Sequence, residues 1–342
     1  MMIHGGNIYK YPNLLDFSSN VNPLGMSDSV RNAIINSVDI CINYPDPECT
    51  RLVHAISEFE QIPCRQIVCG NGAADLIYRI VRAFQPKHAL IPVPSFSEYY
   101  FALRECKCSI QEYNLKPELN FRLDEHFLDY IQKDTDIIFL CTPNNPTGQV
   151  IQPDLLKTIA DTCIQNDTLL ICDECFLRFS ENADYLTLRS VFNPNCIILN
   201  AFTKLFSMPG LRLGYTLCGS PEHAEKIHNN GQFWSVSVPA QAAGIAALQE
   251  KDRISNTVHL IKEERRFLTA QLREAGLNIY ESDANFILFN APPDFAETMK
   301  QRGFLIRECV DFHGLDNTFF RIAVRTHDEN AALISAVKEV YK

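Results

Sequence analysis

The sequence lacks the features that would assign it to a membrane or nucleic-acid-binding class. No run of about 20 apolar residues could span a bilayer, and no charged leader precedes an apolar stretch at the amino end. Lysine and arginine form no block, and the formal net charge of −10 argues against a general affinity for nucleic acid. We therefore expect a cytoplasmic protein with no export, no membrane contact and no nucleic-acid partner.

Other absences limit the architecture. The chain has no internal repeat, low-complexity segment or Gly/Ser linker. No G-x-G-x-x-G follows the first strand, so a nucleotide-binding Rossmann domain is poorly supported. With 342 residues, 46% hydrophobic and 21% charged, the composition is typical of a soluble enzyme with one large and one smaller domain.

Cysteine, by contrast, is plentiful. The 13 cysteines are odd in number and several lie in apolar runs, which indicates reduced, buried thiols. Cys172 and Cys175 have C-x-x-C spacing, but no second pair lies at a metal-ligand spacing. We therefore favour a structural role over redox or zinc chemistry and predict no metal site.

Strand and helix patterns alternate through the first two thirds of the chain. Apolar runs typical of buried parallel strands occur at 89–93, 137–141, 169–172, 197–199 and 213–218. Helical patterns such as 155–163 lie between them. This alternation predicts an α/β fold in which helices cover both faces of a mostly parallel sheet. We place this large domain at about residues 30–225.

The remainder of the chain has a different pattern. Helical stretches at 240–250 and 253–275 are followed by short strands near 285–289 and 320–324, and a helix closes the chain. We predict a smaller C-terminal domain over about residues 226–342. An amino-terminal arm, about residues 1–29, is expected to join it.

Polar residues stand at the ends of three of the apolar runs. Asn145 lies in a Thr-Pro-Asn-Asn-Pro-Thr-Gly segment after the run 137–141, and Asp173 follows the run 169–172. Lys204 comes shortly after the run 197–199. Ligands bind at the carboxyl edge of open α/β sheets, and an amine desolvated there has the lowered pKa that suits attack on an aldehyde.

The ordered set Asn145-Pro-Thr-Gly, Asp173, Lys204 and Arg212 resembles the fold-type I pyridoxal-phosphate (PLP) enzymes, aminotransferase class I/II, over nearly the whole chain. The resemblance implies a seven-stranded, mostly parallel sheet sandwiched by helices, with a smaller α+β domain. It also implies pyridoxal 5'-phosphate as cofactor and Lys204 as the catalytic residue that binds the cofactor aldehyde.

The resemblance assigns the residues around the cofactor ring. Asp173 would pair with the ring nitrogen, Asn145 would contact the phenolic oxygen and the substrate, and Phe96 would stack on the ring. The chain departs from the family at Phe176, where many relatives have a tyrosine, and at Ala201, which replaces a phosphate-binding hydroxyl residue. Each departure removes one hydrogen bond, worth about 1.5–3 kcal/mol at most.

The cofactor phosphate has a separate set of residues. Gly72 and Ala73 begin a predicted helix whose free N–H groups and dipole attract anions. Thr203 would add a hydroxyl and Arg212 a charge-assisted contact. The resemblance also implies that Tyr44 reaches the phosphate of the neighbouring subunit, in a homodimer with active sites at the subunit interface.

For the substrate, the resemblance assigns Arg321 to the α-carboxylate, since its planar guanidinium can bind a carboxylate with two parallel bonds. Arg307 matches a second substrate arginine. His4 and Gly5 would close over the ligand from the arm, and Asn20 would contact it from the next segment. Arg325 is a further source of positive potential. We therefore expect a phosphorylated amino acid as substrate.

The motifs at 4–7, 16–25 and 319–325 resemble those of decarboxylating members of this family. That resemblance implies decarboxylation of L-threonine O-3-phosphate to (R)-1-amino-2-propanol O-2-phosphate and CO2, for cobalamin biosynthesis. The alternative is an aminotransferase of histidinol-phosphate type that uses 2-oxoglutarate and glutamate. A non-catalytic PLP-binding protein is less supported, because Lys204 and Asp173 are both present. Sequence alone does not decide between decarboxylation and transamination, since the orientation of the breaking bond determines the product.

Overall fold

The computed structural model describes residues 5–341, and its strands lie in three sheets. Its strands are β1 (Leu15–Asp16), β2 (Ile67–Gly70), β3 (His88–Val93), β4 (Ser109–Asn114), β5 (Ile137–Cys141), β6 (Leu169–Asp173), β7 (Cys196–Ala201), β8 (Gly214–Cys218), β9 (Asn278–Ile279), β10 (Phe286–Asn290), β11 (Phe304–Leu305), β12 (Arg307–Glu308) and β13 (Phe319–Ala323). Its helices are α1 (Asp28–Ser37), α2 (Thr50–Glu60), α3 (Gly72–Phe84), α4 (Ser97–Glu105), α5 (Pro153–Asn166), α6 (Ala183–Leu186), α7 (Phe202–Leu205), α8 (Pro221–Asn229), α9 (Val238–Leu248), α10 (Lys251–Glu274), α11 (Phe295–Gln301) and α12 (His327–Val340).

The largest sheet has seven strands in the order β2-β8-β7-β6-β5-β3-β4. All neighbouring strands are parallel except β8, which runs antiparallel to both β2 and β7. Every residue of β5 is buried, because helices cover both faces of the sheet. The predicted α/β class with a mostly parallel, seven-stranded sheet is confirmed.

Side chains of the central strands alternate between two apolar cores. In β5, Ile138 packs into one core and Phe139 into the other. Helix α5 contributes Ile159 to the first core, and α3 contributes Ile80 to the second. The two cores hold the carboxyl ends of β5, β6 and β7 at one edge, which is the edge where the polar residues of the motifs begin.

The C-terminal part contains a four-stranded antiparallel sheet in the order β12-β13-β10-β9. The amino-terminal segment joins this part, because β1 pairs in parallel with β11, with Leu15 opposite Phe304. The domain boundaries near residues 29 and 225 stay a prediction. Across the described range 5–341, no helix has both the length and the apolar character that a membrane span requires.

Two strands of the large sheet have no counterpart among the predicted runs. Strand β4, Ser-Ile-Gln-Glu-Tyr-Asn, lies at the edge of the sheet and is largely accessible, so it needs no apolar run. Strand β2 is short and buried.

Strand β13 of the small sheet carries Arg321. It is an inner strand, and Arg321 is buried, so this arginine is not a surface charge of the kind that an edge strand would present.

Candidate active site

A cavity of about 420 Å³ lies where the carboxyl ends of β5, β6 and β7 meet the amino-terminal segment and the small sheet. It brings together most of the predicted site residues: Gly5, Asn20, Ala73, Phe96, Asn145, Asp173, Thr203, Lys204, Arg212, Arg307 and Arg321. Two other surface cavities, of about 490 and 610 Å³, contain none of the predicted residues. We therefore take the smaller cavity as the candidate site.

Lys204 lies in the short helix α7, directly after β7, and is partly buried. The amino-terminal segment holds this helix, because the Asn22 backbone N–H donates to the Lys204 carbonyl over 3.0 Å. The Asn22 side chain also donates to the Leu205 carbonyl over 2.7 Å. Burial, with the positive charge of Arg321 as a further cause, lowers the pKa of Lys204 to about 8. The amine therefore reaches its neutral, nucleophilic form at a lower pH than an exposed lysine does.

Asp173 is buried at the carboxyl end of β6 and lines the cavity. Its Oδ2 accepts from the Tyr99 hydroxyl over 2.7 Å, and its Oδ1 accepts from the Cys175 backbone N–H over 3.0 Å. Burial, and secondly the charge of Asp173, raise the pKa of Tyr99 well above its ordinary value. The tyrosine therefore remains a donor that fixes the carboxylate.

Tyr99 is a contact of the candidate site that the sequence patterns did not predict. It lies in helix α4, where its ring stacks on Phe139 with a centroid distance of 5.0 Å. Only the packing of α4 against the sheet brings its hydroxyl to Asp173, which is 74 positions away in the chain. The spacing of the motif residues holds no signal for this contact.

Arg321 lies on the inner strand β13 and is 6% exposed. Its Nη1 donates to Asn145 Oδ1, and its Nη2 donates to the Ser18 carbonyl over 3.0 Å. Because Asn145 Oδ1 is used in this way, the Asn145 amide nitrogen is the group available as a donor. Burial, with the Arg307 charge as a smaller cause in the same direction, lowers the pKa of Arg321 to about 10.

Two buried polar atoms at the cavity have no hydrogen-bond partner among the described residues, Arg321 Nε and Asn20 Oδ1. A buried polar atom without a hydrogen-bond partner destabilises the folded protein unless a ligand supplies the missing bond. A guanidinium N–H of this kind suits an anionic ligand, and an amide oxygen suits a donor. The pair therefore fits an amino-acid substrate better than an apolar one.

The start of helix α3 forms one wall of the cavity, through Ala73 and Ala74. Gly72 has φ +84°, and a Cβ there would lie 2.8 Å from Arg212 Nη2, so glycine lets the arginine approach the helix start. Thr203 also lines the cavity. Free N–H groups, a hydroxyl and a guanidinium together fit a phosphate group, so the residues present fit pyridoxal 5'-phosphate.

The structure separates two predicted residues from this cavity. Tyr44 is 77% exposed and stacks on Trp234, with ring centroids 4.4 Å apart. Arg325 donates to the Asp16 carbonyl over 2.9 Å and to Glu329 over 2.7 Å, so its contacts hold the amino-terminal segment against α12. His4 lies outside the described residues.

The two departures from the family pattern both line the cavity, as Phe176 and Ala201. Phe176 is buried against Phe286, with ring centroids 5.0 Å apart, so its position is fixed by apolar packing.

Within the described range, no group of three or more His, Cys, Asp or Glu side chains is arranged to hold a metal ion. All 13 cysteines are free thiols.

The family model for aminotransferase class I and II matches residues 12–337, so the chain belongs to this family. Membership confirms the prediction that the chain is a PLP-dependent enzyme, with pyridoxal 5'-phosphate as its cofactor.

Among curated relatives, the chain is 34% identical to the threonine-phosphate decarboxylase of Salmonella typhimurium, over 98% of this chain and 96% of the relative. It is 30% identical to the histidinol-phosphate aminotransferase of Methanosphaera stadtmanae, over 96% of this chain and 90% of the relative. Among solved structures, the histidinol-phosphate aminotransferase of Clostridium acetobutylicum superimposes with a TM-score of 0.90 at 28% identity, covering 96% of this chain and 99% of that one.

Proposed function

We propose that this enzyme decarboxylates L-threonine O-3-phosphate to (R)-1-amino-2-propanol O-2-phosphate and CO2, as a step of cobalamin biosynthesis. The observation that carries the proposal is a pair of buried arginines, Arg307 and Arg321, which are cross-strand partners and both line the cavity. A substrate with two anionic groups, a carboxylate and a phosphate, requires such a pair. The 34% identical Salmonella relative supports the choice of reaction.

The roles of the residues follow from their chemistry. The bound cofactor supplies an electron sink for the pair left at Cα when a bond there breaks. Lys204 would hold the cofactor through its Nζ and then deliver a proton to Cα after CO2 has left. Asp173, fixed by Tyr99, would keep the ring nitrogen protonated. Arg321 would bind the α-carboxylate, and Arg307 the phosphate.

Amino transfer between histidinol phosphate and 2-oxoglutarate is the second candidate. The structural similarity to the Clostridium aminotransferase, with a TM-score of 0.90, favours it. It would use the same lysine and the same two arginines. In that reaction Lys204 removes a proton from Cα, whereas in decarboxylation it supplies one.

We also propose a homodimer. Large apolar side chains are exposed along residues 35–44 and at 233–234, and the Tyr44–Trp234 stack joins the two segments. This apolar patch fits a second copy of the chain, and it is defined by Ile35, Val38, Ile40, Ile42, Tyr44, Phe233 and Trp234. In such a dimer, Tyr44 of each copy would reach the cofactor phosphate bound by the other copy.

The free thiols support a cytoplasmic location.

Mass spectrometry of the products tests the reaction. The cofactor-loaded enzyme is incubated with threonine phosphate alone, and separately with histidinol phosphate and 2-oxoglutarate. Aminopropanol phosphate and CO2 from the first mixture, absent with Lys204→Ala, would support the proposal. Glutamate from the second mixture, without turnover in the first, would replace it with the aminotransferase.

A further inference from the structure

The two arginines of the cavity differ in their electrostatic compensation. Arg321 donates to neutral oxygens only, those of Asn145 and Ser18. Arg307 is paired with a carboxylate: its Nη2 lies 2.8 Å from Asp311 Oδ1 and 2.9 Å from Asp311 Oδ2. Arg307 is therefore paired directly with a carboxylate, whereas Arg321 has no carboxylate in hydrogen-bond contact among the described residues.

The Arg307–Asp311 pair is shielded from solvent. The Arg307 side chain is 5% exposed and that of Asp311 is 19% exposed. Salt and water screen such a pair less than an exposed one, so the carboxylate reduces the attraction that Arg307 exerts on an entering anion. The other terminal nitrogen, Nη1, donates to the Glu308 carbonyl over 2.5 Å.

The residues that follow Asp311 fix it at the edge of the site. Phe312 lines the cavity, and its ring lies 5.2 Å from the Arg307 guanidinium carbon. His313 contacts Glu112 of β4, with Nδ1 2.7 Å from Oε1. Asp311 itself lines an adjoining small cavity of about 40 Å³, which shares Phe312 with the main one. The carboxylate therefore lies beside the site and can compete for Arg307 there.

We propose that Asp311 is a specificity-determining residue whose carboxylate competes with the phosphate of the ligand for Arg307. The inference rests on the proposed function, in which that ligand carries a phosphate. A phosphate monoester has about 1.5–2 negative charges at pH 7, against one for Asp311, so it can replace the carboxylate on Arg307. When the phosphorylated product leaves, Asp311 returns to Arg307 and favours release.

The test is calorimetric titration of the cofactor-loaded enzyme with inorganic phosphate. In the loaded enzyme the cofactor's own phosphate fills the site at the start of α3, so added phosphate reports on the substrate side of the cavity. Asp311→Asn keeps the shape and removes the charge. One charge within about 5 Å of a partly buried anion changes the affinity by a factor of about ten or more, so we expect phosphate to bind about tenfold more tightly.

Glu329→Gln is the matched control. Glu329 forms a similar pair with Arg325, again four residues apart, with Arg325 Nη2 2.7 Å from Oε1, but neither residue lines the cavity. This variant should bind phosphate as the unmodified enzyme does. Unchanged or weaker phosphate binding by Asp311→Asn would overturn the inference, because Asp311 would then only anchor Arg307. Asp311→Ser provides the same comparison if the asparagine variant does not fold.

Kinetics separate this inference from the proposed function. With threonine phosphate, Asp311→Asn should lower KM about tenfold without raising kcat, whereas binding of unphosphorylated threonine, which lacks the group that Arg307 would bind, should change much less. If the unmodified enzyme does not decarboxylate threonine phosphate, the proposed function fails, but the phosphate titration still decides the role of Asp311. If decarboxylation is observed and the titration shows no gain, only the inference about Asp311 fails.

Discussion

At the residue scale, the pKa of Lys204 makes a prediction about pH. Burial and the Arg321 charge lower this pKa from 10.5 to about 8 in the folded protein. The rate at which apoenzyme captures pyridoxal phosphate should therefore rise about tenfold per pH unit below pH 8 and level off above it. Stopped-flow absorbance between pH 6 and 10 measures this rate. A rate still rising at pH 10 would show that the lysine is not desolvated.

Arg321→Gln is the control for the cause of this shift. Removing a neighbouring positive charge should raise the pH at which the capture rate levels off, since less repulsion opposes the ammonium form.

The lowered pKa of Lys204 also determines how its contribution to folding stability changes with pH. Between about pH 8 and 10.5 the unfolded chain binds more protons at this lysine than the folded chain. The contribution of Lys204 to stability therefore becomes more favourable as the pH rises through that range.

Individual residues also show how far a sequence can predict a site. Lys204, Asp173 and Asn145 each follow an apolar run, so the rule that ligands bind at the carboxyl edge of a parallel sheet is enough to group them. Tyr99 and Asp311 could not be found in this way. Tyr99 reaches Asp173 only through the packing of α4 on the sheet, and the contact of Asp311 depends on the turn after β12. Neither contact has a periodic signal.

At the scale of elements, the start of α3 makes a prediction about the cofactor phosphate. Gly72→Ala places a methyl group 2.8 Å from Arg212 Nη2 at a φ of +84°, which side chains rarely adopt. We expect pyridoxal phosphate to bind about tenfold or more weakly, because the variant displaces Arg212 and strains the helix start. Binding of pyridoxal, which has no phosphate, should change little. Equilibrium absorbance titrations with both compounds measure the difference.

Gly210→Ala is the matched control for this variant, since no atom lies within 4 Å of the position of its added Cβ and it stands two residues before Arg212. It should bind both compounds normally. Equal losses for pyridoxal and its phosphate in Gly72→Ala would contradict a phosphate site at this helix start.

The elements themselves were predictable where burial dominates. The run at 137–141 coincides with β5, because a strand covered on both faces needs apolar residues throughout. The edge strand β4 is mostly polar and largely accessible, so it contains no apolar run and was missed. The antiparallel direction of β8 was also outside the prediction, since an apolar run does not record the direction of its strand.

At the scale of the whole molecule, charge is distributed unevenly. The chain has a formal net charge of −10, yet four cations, Lys204, Arg212, Arg307 and Arg321, line one cavity together with two carboxylates, Glu98 and Asp173. The negative balance of the whole chain gives no attraction for an anionic substrate. Local cations must therefore supply it, and their concentration at the strand ends indicates an anionic ligand more strongly than composition does.

The proposed dimer makes the last prediction. Ile42 is 89% exposed within the apolar patch, and a lysine there would place a charge in the interface. We expect Ile42→Lys to be monomeric by light scattering at micromolar concentration. It should also bind pyridoxal phosphate more weakly, because Tyr44 of the partner would no longer reach the phosphate. Leu119→Lys, at a 45% exposed position outside the patch, should remain dimeric with normal cofactor affinity. A monomeric unmodified enzyme that retains its cofactor would instead show that one chain completes the site, and Tyr44 would then have no part in binding.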